Sequence, residues 1–137
     1  MFWQKWLFVL SLLIVAFGVL LALFSATPAF AIFHQLIDPV FFAAPDAGTR
    51  HFQQWSYGLL GATMAGWGVF MAFIAYYPFR NKEKWAWFCV AMGVLTWYVV
   101  DTSISLSFGV VFNAAFNTAA LILVALPLAF TWKTFSG

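Results

Sequence analysis

From Trp6 to Ala26 the chain runs without a single charged side chain. About 20 apolar residues cross a hydrocarbon core about 30 Å thick, so this stretch is long enough to span a bilayer. Three further apolar stretches follow, at residues 52–77, 85–101 and 110–132. Only 7% of the residues are charged, against about 25% in an average soluble domain. A chain this poor in charge cannot cover its own surface in water. The expected fold is therefore all-α, a four-helix transmembrane bundle forming one domain over residues 1–137.

The five residues Arg80-Asn81-Lys82-Glu83-Lys84 separate the second and third spans and hold four of the ten charged side chains. Lys5 and Lys133 fall on the same side as this loop, and only Arg50 falls on the other. Basic residues concentrate on the cytoplasmic side of membrane proteins. The bias predicts an N-in, C-in topology, with Asp38, Asp46 and Asp101 outside. Trp3, Trp6, Tyr76, Tyr77, Trp85, Trp87 and Trp132 then mark the inner interface, and Trp55, Tyr57 and Tyr98 the outer one. Trp67 falls mid-helix and reads as packing or lipid contact.

Lys5, the first apolar run and Ala29-Phe30-Ala31 also resemble a signal peptide with a cleavage site. A signal core spans about 7–15 residues. This run is longer and reads as an uncleaved first helix. Cleavage would leave three spans with the same orientation.

Pro28, Pro39 and Pro45 punctuate the connection over residues 27–50, and Asp46-Ala47-Gly48 reads as a turn. Phe30, Phe33, Leu36 and Ile37 share one helical face there, with His34, Gln35 and Asp38 opposite. Such a segment is expected to lie flat in the interface with its apolar face down. In the second span Gly58, Ala62 and Gly66 recur every four residues, and Gly61 and Ala65 form a second such pair. Small residues at this spacing let helices approach closely, so this helix is expected to be the most buried. Pro78 ends it. Asp101 is taken to lie at the outer end of the third span, with residues 104–108 either extending this helix or forming the turn, Gly109 to break the chain, and Pro127 to bend or loosen the fourth.

The candidate site is polar and sits at the end opposite the basic loop. Asp101 ends one span, Asn113 and Asn117 lie one turn apart on the next, and Arg50, His51, Gln53, Gln54 and Ser56 open the second. Asn117 falls within the hydrocarbon layer, where an unpaired amide is costly. Asp101 is therefore expected to bond Asn113 or Asn117, with Arg50 as an ion-pair partner. These groups read either as interhelical packing or as a ligand-binding cluster. The only metal candidates are His34, Asp38 and His51, without a recognised ligand spacing. No cofactor is expected. Cys89, the single cysteine, excludes an internal disulfide and reads as a packing residue. Every lysine lies at a helix end, so no buried Schiff-base lysine is available. No histidine adjoins Ser103, Ser105 or Ser107 in sequence.

The stretches Tyr57-Gly58-Leu59-Leu60-Gly61-Ala62, Pro78-Phe79-Arg80 with Glu83-Lys84-Trp85-Ala86-Trp87, and Trp97 with Asp101 resemble small bacterial four-helix membrane proteins of the DoxX-like kind. The resemblance covers residues 50–130 and implies a bundle in a bacterial inner membrane. It carries over no catalytic residue, and it does not extend to the long first connection.

The chain thus reads first as a non-catalytic membrane protein, either an accessory subunit or a binder of a lipid or small hydrophobic ligand. A small membrane enzyme or redox partner, using Asp101 and His51 as acid and base, is the second reading. An oligomeric channel or transporter is the third. Expected partners are membrane lipids and a larger membrane complex or homo-oligomer, with no nucleic acid.

Overall fold

A computed structural model describes residues 1–136. Five α-helices account for most of them: α1 (Phe2–Phe24), α2 (Ala31–Phe41), α3 (Ala47–Tyr76), α4 (Lys84–Ser107) and α5 (Val111–Ser136). A single 3-10 turn, Pro28–Phe30, leads into α2. All but α2 are long and apolar enough to cross a membrane. The protein is a small polytopic membrane protein with an all-α bundle.

The spans differ from the sequence expectation mainly at their ends. α3 starts at Ala47 because Asp46 is its N-cap, not part of a free turn. The Asp46 carboxylate accepts the Thr49 backbone N–H at 2.7 Å. At 1.5 Å per residue α3 is about 45 Å long and outreaches the hydrocarbon core. Its first turns, with Arg50, His51 and Gln54, project past it.

Of the two readings beyond Asp101, the structure has the extension: the third span runs on past residue 101 to Ser107. Its true stop is a Schellman turn. Gly109 takes φ +76, its N–H bonds the Leu106 carbonyl, and the Val110 N–H bonds the Ser105 carbonyl. α5 starts at once and runs back along α4.

Pro127 does not break α5. A proline removes the N–H that would bond the carbonyl four residues earlier, here that of Leu123. The Trp6 indole N–H on α1 donates to this carbonyl instead, at 3.0 Å. Trp87 on α4 donates to the Leu128 carbonyl at 2.9 Å. Two tryptophans expected only as interfacial anchors thus tie α1 and α4 to the proline region of α5.

α1 and α3 form the most extensive contact, followed by α4 with α5 and α1 with α5. α3 and α4 barely touch, although they are neighbours in sequence. The bundle is therefore two helix pairs joined through α1 and α5 and splayed along the α3–α4 seam. Near the basic loop it is closed by Leu7, Met71, Ala75, Phe79, Val90 and Leu128. Gln4 adds a bond from its side-chain amide to the Ala75 carbonyl, 3.0 Å away.

The close approach of α1 and α3 uses the second expected pair of small residues, Gly61 and Ala65, and not the stripe of Gly58, Ala62 and Gly66. Gly18 on α1 meets Gly61 and Ala65, and Gly68 meets Val15 and the Ser11 carbonyl. Gly66 has nothing near it, and Ala62 is exposed. The i,i+4 pattern allows two neighbouring faces, and Gly18 of the partner helix selects one. Burial is also greatest in α5, at 33% of its apolar window against 28% for α3. α5 alone of the four contacts both its α4 partner and α1 while receiving side-chain bonds from each.

α2 does not lie with its apolar face turned away from the protein. Phe33 packs on Phe17 of α1 and on Phe112 and Phe116 of α5. Its polar face also turns inward: Gln53 of α3 donates to Asp38 Oδ1 at 2.8 Å, and Asp38 is buried. Its far end reaches the α4–α5 turn through Phe41 and Phe108. Phe33 and Asp38 find partners because the splayed helices leave an opening that α2 crosses like a lid, while Ile32, Leu36 and Val40 stay exposed.

Candidate functional site

The polar cluster is built by the α4–α5 hairpin. Antiparallel helices joined at Gly109 bring together residues equally far from it. Asp101 and Asn117 lie eight positions either side, and Ser105 and Asn113 lie four. Asp101 Oδ1 accepts from Asn113 Nδ2 at 2.7 Å and Asn117 Nδ2 at 2.8 Å. The Ser105 hydroxyl donates to the same oxygen at 3.2 Å. Asn113 Nδ2 also reaches Ser105 Oγ at 2.8 Å, and Asn117 Nδ2 reaches Thr102 Oγ1 at 3.3 Å.

All of this bonding converges on one carboxylate oxygen. Among the described residues no donor bonds Asp101 Oδ2, nor the side-chain oxygens of Asn113 and Asn117. Asn117 is 2% exposed. The cluster therefore presents unpaired acceptors and no free amide N–H.

Asp101, Asn113 and Asn117 form the polar part of a chamber of about 230 Å³ under the α2 lid. Phe33 and Ile37 of α2 roof it, and Tyr57 of α3 borders it. Below lies a second chamber of about 300 Å³, lined by apolar side chains such as Leu13, Ile14, Ala120 and Leu123. The two share Phe17, Met64, Trp67, Trp97 and Phe116 as a common wall. Trp67 and Trp97 close the α3–α4 seam at this level, with ring centroids 5.8 Å apart. Trp97 and Asp101 also line an open recess on α4 beside Val100 and Ile104. These two side chains thus stand between the inner chamber and the lipid-facing surface.

The other candidates do not join the site. Arg50, His51 and Gln54 are exposed on the projecting turns of α3, and Arg50 makes no ion pair with Asp101. The reason is the helix length: Asp101 lies six residues before the end of α4, well below the level of Arg50. Gln53 is taken by Asp38. His34 and Asp38 do share a face, with Nδ1 and Oδ2 3.5 Å apart. His34 Nε2 donates to the Ser25 carbonyl at 2.9 Å, and the ring meets Tyr57 edge-on. His51 is not drawn to this pair, and no group of three potential metal ligands forms among the described residues.

Sequence reasoning missed Ser105, Thr102 and the aromatic wall. The symmetry about Gly109 would have found Ser105. Trp67 stands out in the sequence only as a mid-helix packing residue, and nothing marks Phe17 or Phe116 among so many aromatic residues. Comparison with protein-family models, with curated proteins and with solved structures finds no match to this chain.

Proposed function

We propose that the protein is a non-catalytic membrane protein that holds a lipid or small hydrophobic amphiphile in the paired chambers. The observation that carries this reading is their polarity gradient. Acceptors sit at one end, an apolar chamber continues from them, and only two side chains separate the upper chamber from the lipid face. Ligand sites are typically concave and apolar with a few placed polar groups, at about 300–1,000 Å³. A catalytic role would need a second titratable group converging with Asp101. His51, the expected partner, projects away from it, which leaves Tyr57 as the one other titratable side chain on the chamber wall.

Purification in a mild detergent, followed by mass spectrometry of the extracted lipids, tests the reading. Wild type is expected to retain a defined amphiphile in near-stoichiometric amount. Trp97→Ala, which removes part of the wall, should release most of it. Retention of nothing beyond bulk lipid, by either protein, would remove the support for a binding role.

In this proposal the chain sits in a bacterial cytoplasmic membrane, as the resemblance implies, with the chamber's polar end outside. The basic bias supports that orientation. Cysteines placed at Ala47 and Lys82, in a background lacking Cys89, are expected to label from the outside and the inside respectively. Labelling of position 82 from outside would reverse it.

A further inference from the structure

We infer that the chambers select an amphiphile with a primary ammonium head, its N–H groups on Asp101 and the asparagine oxygens and its chain in the lower chamber. This deepens the binding role proposed above and rests on it.

The first argument is the sign of the polar groups. Both asparagine amide nitrogens are spent, on Asp101 Oδ1 and, with their second hydrogens, on Ser105 Oγ and Thr102 Oγ1. What remains at the chamber is Asp101 Oδ2 and two amide oxygens, all acceptors. Ser105 Oγ already gives its hydrogen to Asp101 and receives one from Asn113. A carboxylate or phosphate head would find as donors on the wall only the Tyr57 hydroxyl and the indole N–H groups of Trp67 and Trp97, and would face a carboxylate besides. A primary ammonium brings three donors and no acceptor.

The second argument is charge. Asp101 is the only acidic residue on the chamber wall, and no lysine or arginine lines either chamber. Arg50, the nearest basic residue in the sequence expectation, is exposed and makes no ion pair. The site therefore has an uncompensated place for one cation.

The third argument is the wall. Trp67, Trp97, Phe17 and Phe116 surround the junction of the chambers. Aromatic faces attract cations and also pack against an alkyl chain. Trp97 and Asp101 adjoin the outer recess on α4, so a head group arriving from lipid meets the carboxylate first. The lower chamber is nearly devoid of polar groups and takes the chain.

The test compares dodecylamine, dodecanol and dodecanoate, each equilibrated by dialysis with the purified protein in maltoside detergent and quantified by mass spectrometry. Dodecylamine is expected to bind at least tenfold more tightly than dodecanol, and dodecanoate most weakly. Asp101→Asn should abolish the preference for the amine while leaving dodecanol bound. If that variant does not fold, the wild-type order decides alone. Equal binding of all three, or tighter dodecanoate, overturns the ammonium head but leaves a binding chamber. Binding of none removes the chamber's role itself. Two sources carry such a head. Retention of phosphatidylethanolamine over phosphatidylglycerol in nanodiscs assigns it to a lipid, and equal retention with the amine preference intact assigns it to a free amine.

Discussion

Replacing Gly61 with alanine is expected to destabilise the protein by about 1–3 kcal/mol, the usual cost of forcing a methyl group into a packed contact. The added Cβ would fall against the Gly18 carbonyl oxygen and 2.5 Å from the Ala22 backbone nitrogen. Both neighbours are backbone, so neither can rotate away. α1 and α3 would have to separate along the most extensive contact in the bundle. Alanine is intrinsically the better helix former by about 0.8–1 kcal/mol, which offsets part of the clash. Gly66→Ala isolates that gain, because nothing lies within 4 Å of the new methyl group. Thermal unfolding in one detergent should show Gly61→Ala several degrees below wild type and Gly66→Ala at or above it. Ala62→Leu, on the exposed side, should change little. Equal midpoints for both glycine variants would show that the α1–α3 spacing is slack.

That contrast also shows what the sequence could and could not reveal. Four spans, the stop at Pro78 and the break at Gly109 follow from local chemistry: apolar length, a ring without an N–H, and a backbone needing positive φ. The hydrogen bonds of Asp101 to Asn113 and Asn117 follow from the same logic, since Gly109 folds α4 and α5 back on each other. Which small-residue face of α3 is used depends on Gly18, a residue of another helix. The fate of Pro127 depends on Trp6, more than a hundred residues away in sequence. The lid arises because α3 and α4 splay apart, which neither helix encodes by itself. The sequence puts Arg50 and His51 near Asp101 because local signals alone set the start of one span and the end of the other at one level. Asp46 as a cap and the Schellman turn at Gly109 lengthen both helices and draw the two sets apart.

Asp101→Leu is expected to loosen the hairpin on which the chamber is built. The substitution removes the acceptor shared by Asn113, Asn117 and Ser105. Leucine gains nothing in exchange, because lipid tails are as apolar as leucine itself. Interhelical hydrogen bonds in membranes average about 0.6 kcal/mol each, and a buried amide left unpaired costs about 1–3 kcal/mol. Loss of both bonds from α5, with Asn117 almost wholly buried, should therefore cost about 1–3 kcal/mol in total, read as a lower unfolding midpoint. Asp101→Asn should stay close to wild type, because its amide oxygen still accepts from both asparagines. Replacing Asp101, Asn113 and Asn117 together by leucine removes donors and acceptor at once, and a pair deleted as a whole costs little. That triple variant should regain most of the midpoint lost by Asp101→Leu. An Asp101→Leu protein that melts with wild type would show that the network does not hold α4 to α5. A triple variant that folds well but retains no amphiphile would separate the two roles: leucine suffices to hold the helices together, and the carboxylate and its amides are there for the ligand.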